Sequence, residues 1–407
     1  MTESGIDRIF VRCCIAGGGP AGMMLGLLLA RSGVEVLVLE KHSDFLRDFR
    51  GDTIHPSTLE VMHELGMLEN LLALPHQKAP VLKAQFGDLS LEIADFSHLP
   101  TRCKFIAMMP QWDFLNLLAT EGRRYPGFHL RMDAEATGLI EDTGRIVGLR
   151  AATSTGPLEV RTDLVVAADG RHSVLRKTAA LGIEQLGAPM DVLWFRLRRE
   201  PGDSADVMGR FGSGHIFIMI NRGDYWQCGF VIRKGSIEEV RARGLEAFRA
   251  AVVKAAAFTA GRVGELKDWE DVKLLTVSVD RMPRWYRGGV LFIGDAAHAM
   301  SPIGGVGINL AIQDAVAAAN ILAQPLRDNK LETAHLEAVQ RRREWPTRVT
   351  QRMQIFMQDR VVTRALDDAE AFEPPLLIRL MARFPLLRRI PARLFGMGVR
   401  PEHVQIR

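Results

Sequence analysis

One stretch near the start of the chain constrains the fold more than any other. Residues 9–16 read as an apolar strand, Gly17-Gly18-Gly19-Pro20-Ala21-Gly22 as a glycine turn, 23–32 as a helix and 35–39 as a second strand. This order makes a βαβ unit of about 30 residues, with Gly17, Gly19 and Gly22 at GxGxxG spacing. The glycines permit a tight turn and close approach of the backbone, and the helix opening at Pro20 and Ala21 offers its positive end to a pyrophosphate. Glu40, with Lys41 beside it, ends the second strand eighteen residues after Gly22. A carboxylate there accepts both hydroxyls of an adenosine ribose and repels a 2′-phosphate, so the unit is expected to hold FAD or NAD rather than NADP.

Residues 13–30 carry no charge, which by hydropathy alone resembles a signal peptide or a membrane span. The three glycines and Pro20 in their middle argue against both readings. Over 407 residues, 47% hydrophobic and 25% charged describe a soluble globular chain of two to three domains. The 52 basic and 48 acidic residues nearly balance, which disfavours nucleic acid as a partner. Cys13, Cys14, Cys103 and Cys228 form no CxxC pair, so a reducing cytoplasm is expected. Among the eleven histidines there is no HExxH and no Cys/His cluster, hence no metal site is expected. Gly212-Ser213-Gly214 is not a GxSxG elbow, and acyl hydrolysis is set aside.

Helical spacing recurs at 58–66 and 112–124, and 158–168 is strand-like. From about residue 190 to 280 the texture changes to alternating or β-branched runs at 192–197, 215–220, 225–232 and 272–279, with one helical stretch at 237–257. The expected fold class is α/β: a Rossmann-like domain with an inserted, mostly antiparallel β-sheet and C-terminal helices. Residues 1–75, 101–185 and 282–345 are assigned to the first domain, 76–100 and 186–281 to the sheet domain, and 346–407 to a helical segment broken at Pro346, Pro374, Pro385 and Pro391. Residues 378–407 hold seven arginines and one acid, interleaved with Leu, Met and Phe. Peripheral contact with an anionic membrane is one reading; a helix packed on the body with its basic face in water is the blander one.

A second constellation follows the apolar strand 290–293: Gly294-Asp295-Ala296-Ala297-His298, then Pro302-Ile303-Gly304-Gly305-Val306-Gly307 leading into a helix near Ile308. Asp295 at the strand end suits a polyol such as the ribityl chain of a flavin, which NAD lacks. The free N–H groups at the helix start favour an anionic reduced ring.

With Asp169-Gly170-Arg171-His172-Ser173, these motifs make an ordered trio, and the chain resembles the flavin-dependent aromatic hydroxylases of the para-hydroxybenzoate hydroxylase type, single-component class A monooxygenases. Arg50 in Phe49-Arg50-Gly51 and Gln111 ahead of a helix also match. The resemblance covers residues 9 to about 320 and implies one bound FAD, with NADH or NADPH as a transient reductant. It implies that Asp295 binds the ribityl chain and that the backbone at Ile308 and Asn309, with Pro302, Gly305 and Gly307 leading in, binds the ring. Arg50 and Gln111 approach the FAD, and Asp169 holds the region where FAD and NAD(P)H meet. Gly305-Val306-Gly307 departs from the family pattern, which bears on where the ring sits. The implied chemistry is oxygen addition at flavin C4a and hydroxylation of an aromatic or polycyclic, quinone-like small molecule.

Trp194, Phe217, Met219 and Tyr225 are candidates to wall an apolar substrate pocket, with ordinary core packing as the alternative for each. Tyr225 and Trp226 must face opposite sides of their strand. His298 is assigned a packing or hydrogen-bonding role rather than catalysis. No side chain is named as catalytic, and a monomer or homodimer is expected. The competing readings are a flavin-dependent reductase of prenyl chains and a non-catalytic flavin or ligand-binding protein; a halogenase is disfavoured because no WxWxIP occurs.

Overall fold

The computed structural model describes residues 7–46, 53–87, 89–203, 208–212, 214–367 and 376–406. Arg50 and Ser213 lie outside the described residues. The main sheet has the parallel order Val290–Phe292, Gly156–Ala167, Asp7–Ala16, Val36–Leu39, Phe128–Arg131, with Tyr286–Arg287 antiparallel at one edge. Strands Ala134–Asp142 and Arg145–Thr153 add an antiparallel meander beside Gly156–Ala167. The apolar runs read in the sequence become central strands covered on both faces, as a parallel sheet requires. One face packs on the helices Pro20–Arg31, Gln111–Gly122 and Gly307–Arg327. The opposite face packs on the meander, Met282 and Trp285.

A seven-stranded sheet runs Lys273–Leu275, Met190–Arg198, Tyr225–Arg233, His215–Asn221, Met208–Gly212, Val81–Phe86, Leu89–Asp95. All its pairings are antiparallel except that of Met208–Gly212 with Val81–Phe86. The fold is thus a Rossmann-like α/β architecture with a second, mostly antiparallel sheet and C-terminal helices. Residues Gln77–Ala79 pair instead with Ile106–Met108 in a small three-stranded sheet, together with Thr53–Ile54.

Several local expectations are corrected. Of the run 272–279 only Lys273–Leu275 pairs, because there the chain turns away along the sheet edge to reach Asp280. The stretch 237–257 is two helices, Ile237–Ala242 and Leu245–Ala255, parted at Gly244 with φ +86°, a left-handed conformation no helix can pass. Pro346 breaks nothing: the helix Thr333–Met357 runs through it. A proline there costs about 3 kcal/mol, so packing of the buried face must outweigh it. That face carries Gln340, Arg343, Thr347, Thr350, Gln351 and Gln354, all buried. The helix Gly307–Arg327 is long and apolar enough to cross a membrane, yet most of it is buried in the fold, against Pro20–Arg31 among others.

Candidate functional site

The glycine turn is shaped by contacts no side chain could share. Gly17 has φ +109°, and a Cβ there would lie 2.3 Å from the Ala168 carbonyl and 2.9 Å from Asp169 N. A Cβ on Gly22 would lie 2.0 Å from the Gly17 carbonyl. Beside Gly19, by contrast, a Cβ would meet nothing within 4 Å. Gly19 is the N-cap of the helix Pro20–Arg31 with no side-chain cap, so the first N–H groups are left for an anion from outside. Glu40 is buried; its Oε2 accepts from Gly18 N at 2.9 Å and its Oε1 from His42 N at 3.1 Å. Lys41 beside it is exposed.

Three sequence-distant motifs meet at this turn. Gly17 abuts Asp169 as above. Gly294, at φ +58°, brings a would-be Cβ to 3.2 Å from Ala21 Cβ and 3.4 Å from Ala311 Cβ, so the Gly-Asp turn touches both the glycine-turn helix and the Ala-rich helix. Arg171 Nη2 donates to Asp295 Oδ2 at 3.3 Å, joining the second motif to the third. Arg176 reinforces the junction, donating to the Ala296 carbonyl at 3.0 Å and the Arg171 carbonyl at 2.8 Å. Asp169 Oδ2 accepts from Val174 N at 2.9 Å, while its Oδ1 is buried without a hydrogen-bond partner among the described residues. Burial pushes the Asp169 carboxyl up, although hydrogen bonds from Ser173 and the following backbone oppose the shift.

The loop before the Ala-rich helix is held from behind. Thr53 Oγ1 donates to the Gly305 carbonyl at 2.9 Å, and the Asn309 carboxamide oxygen accepts from His55 N at 3.0 Å and Thr58 Oγ1 at 2.7 Å. The Asn309 side chain is therefore structural, leaving its backbone and that of buried Ile308 at the helix start. Gly307 opens the helix with no side-chain cap, and Pro302 and Gly305 lie half-buried before it. Gln111 is the first residue of its helix, half-buried.

A polar ladder that sequence reasoning missed satisfies this loop. Gln351 Nε2 donates to the carbonyls of Asp280 at 2.8 Å and Ala299 at 3.1 Å. Gln354 accepts from Ser301 N at 3.2 Å and donates to the Ser301 carbonyl at 2.9 Å and that of Ile303 at 3.0 Å. Gln358 donates to Ser301 Oγ at 2.9 Å. The signal was present as glutamines at helical spacing, which read as a solvated face until a partner loop is known.

Beneath the Gly-Asp turn lies a buried charge chain. Asp314 Oδ2 accepts from Gly294 N at 3.1 Å and from His298 Nε2 at 2.6 Å, and Oδ1 accepts from Arg343 Nε at 3.0 Å. Arg343 reaches on to Glu402 at 3.1 Å and to the Arg400 carbonyl at 3.0 Å. Burial raises the Asp314 carboxyl, but His298 and Arg343 together outweigh it and hold it below the usual range. His298 has the hydrogen-bonding role expected of it, with its ring 4.8 Å from that of Trp285.

The pocket candidates divide between the two faces of the second sheet. Trp194 faces the cofactor-binding part in one apolar cluster with Ile216, Val231, Met300, Val306 and Leu310. A Cβ at the facing Gly229 would lie 3.0 Å from its indole, so the ring lies over a strand with no side chain beneath. Phe217 and Met219 are on the opposite face, packed with Trp226 and Phe248 under the helix Leu245–Ala255, and cannot wall a pocket beside the main sheet. The register fixes this, since neighbours along a strand alternate faces. Tyr225 shares the Trp194 face by register and carries Arg196 over its ring at 5.0 Å. The four cysteines are free and buried, and no metal-holding cluster of His, Cys, Asp and Glu occurs among the described residues.

Fold and motifs define a flavoprotein oxidoreductase. The family described as FAD binding domain matches residues 11–353. The chain is 32% identical over 390 residues to 6-methylpretetramide 4-monooxygenase of Streptomyces rimosus, covering 95% of this chain and 93% of that protein. It is 30% identical over 317 residues to 12-dehydrotetracycline 5-monooxygenase/anhydrotetracycline 6-monooxygenase of Streptomyces rimosus subsp. rimosus, covering 74% of this chain but 60% of that protein. In fold, the structure of OxyS anhydrotetracycline hydroxylase from Streptomyces rimosus matches with TM-score 0.76 at 23% identity, over 97% of this chain and 77% of that one. The chain belongs to the FAD-binding-domain family and is an FAD-dependent monooxygenase of the class A flavin hydroxylase type.

Proposed function

We propose that the chain hydroxylates a polycyclic aromatic or quinone-like small molecule, consuming molecular oxygen and NADH or NADPH, as a cytoplasmic monomer or homodimer. Carrying this reading is the shared apolar cluster in which Trp194, Ile216 and Val231 of the second sheet meet Met300, Val306 and Leu310 around the start of the Ala-rich helix. An apolar wall next to an uncapped helix start suits a flat, hydrophobic substrate beside a flavin ring. The similarity to a monooxygenase named for 6-methylpretetramide supports the polycyclic class.

The residues fit the cofactor. Gly17, Gly19, Pro20, Ala21 and Gly22 are assigned the pyrophosphate, since Gly19 opens the helix with no side-chain cap and a Cβ there would meet nothing within 4 Å. Glu40 is assigned the adenosine ribose, with Lys41 at its edge; Asp295, the ribityl chain, oriented by Arg171. Gln111 and Arg50 are assigned contacts to FAD, and Asp169 the nicotinamide side. Gly294 sets the turn that presents Asp295, and the backbone from Pro302 through Gly305 and Gly307 to Ile308 and Asn309 is assigned the ring. Bound FAD supplies the oxygen activation. The chain's own tasks are to stabilise negative charge on the ring by the helix end, exclude water and orient the substrate carbon. No side chain need act as a nucleophile.

The test mixes protein, FAD and NADH or NADPH under labelled oxygen with a panel of polycyclic phenols. Substrate-stimulated NAD(P)H loss with label in the product is expected. Ligand binding without turnover would support the binding-protein reading, and saturation of a prenyl chain without label would support the reductase.

A further inference from the structure

Four of the twelve large apolar side chains exposed in the described residues fall between 380 and 390: Leu380 at 39%, Phe384 at 53%, Leu386 at 67% and Ile390 at 59%. They sit on and between two short helices, Leu376–Arg383 and Arg389–Gly396. Leu380 lies in the first helix, Phe384 and Leu386 in the turn after it and Ile390 in the second helix, and all four are exposed. Core packing does not need them. The helices are fixed from the inside by Met381, Ala392 and Phe395; a Cβ on Gly304 would meet the Phe395 ring at 2.5 Å, and one on Gly396 would meet Leu99 at 2.6 Å. Arg388 ties their junction down, donating to the Met381 carbonyl at 3.1 Å and pairing with Glu92 on the edge strand.

Around the outward apolar side chains stand exposed Arg383, Arg389 and Arg393. Glu402 is buried and already paired with Arg342 and Arg343, Glu92 is taken by Arg388, and Asp95 lies near Arg389, so among these described acids none pairs with Arg383 or Arg393. From this charge pattern we infer that the 379–393 face docks on an anionic lipid bilayer, the apolar side chains entering the headgroup boundary and the arginines meeting lipid phosphates. An amphipathic surface rich in arginine and bulky apolar residues binds by those two terms together. A second copy fits less well, because a two-fold contact would set arginines against their own copies.

The experiment is sedimentation of the FAD-loaded protein with phosphatidylcholine vesicles, with and without phosphatidylglycerol. Binding to the anionic vesicles alone is expected, weakening as salt screens the arginines. Replacing Phe384, Leu386 and Ile390 together by Glu should weaken partition by about tenfold or more while flavin content and circular dichroism stay unchanged. A second variant, Arg383→Gln with Arg389→Gln and Arg393→Gln, should lose the preference for anionic lipid. Absence of binding to anionic vesicles overturns the inference, as does binding that survives both variants. A concentration-dependent dimer in gel filtration that the Glu variant dissolves would mean that a second copy covers the face, and also overturns it.

Discussion

Arg171 donates to Asp295, alone among the described side chains, and the carboxylate stays half-exposed, as a ligand for a polyol should be. Asp295→Ala removes one charge-assisted contact, worth about 1.5–3 kcal/mol. FAD affinity should fall roughly tenfold to a hundredfold with the fold intact, measured by flavin fluorescence titration; unchanged retention would refute the ribityl assignment. His55 poses a different test. It is fully buried, its Nδ1 donates to the Phe395 carbonyl at 2.6 Å, and burial, opposed by that hydrogen bond, lowers its pKa to about 4. The unfolded chain, with the ordinary value near 6.5, takes up the proton first. Stability from the neutral ring is thus complete above pH 6.5 and is lost as pH falls towards 4, by roughly 3 kcal/mol in all. His55→Gln should flatten this slope. Urea midpoints of the two proteins running parallel over that window would show that His55 contributes none of it.

Among the elements, the loop 299–303 depends on a helix that arrives some fifty residues later. Replacing Gln354 by Leu leaves the Ser301 N–H and the Ser301 and Ile303 carbonyls without their partner, at about 1–3 kcal/mol for each group that stays buried. Thermal unfolding should move down by several degrees, and FAD should dissociate faster because the start of the Ala-rich helix loses its support. A variant with wild-type flavin off-rate would separate the ladder from the site. The βαβ unit, the Gly-Asp turn and the Ala-rich helix were legible because each carries a local pattern, closely spaced glycines after a strand or an uninterrupted apolar run. The face of Phe217 and Met219 was not, since alternation says only that neighbours differ and the covering helix Leu245–Ala255 decides which side is inside. Pro346 misled for a related reason: its cost is local, whereas the contacts that outweigh it reach residues 280–303. The Asp314–Arg343–Glu402 chain joins three segments that no sequence spacing relates.

At the scale of the whole molecule, that charge chain couples the segment around Glu402 to the Gly-Asp turn. Arg343→Met strips the guanidinium from Asp314 and Glu402 and leaves two buried carboxylates facing one another's vacated partner. Breaking a buried pair on one side costs about 3–5 kcal/mol, a large part of a protein's net stability. Denaturant unfolding should show that loss, and a double variant with Asp314→Asn and Glu402→Gln should recover part of it; no recovery would mean that packing, not charge, is what Arg343 provides.

The placement of Glu402 also bears on the order of refolding. The helix after the glycine turn can form on its own segment, whereas the Asp314 side of the Gly-Asp turn waits, through Arg343, for a segment far along the chain. Uptake of the yellow prosthetic group on dilution from denaturant should therefore trail the recovery of helical signal, and simultaneous recovery would show that this anchor is dispensable.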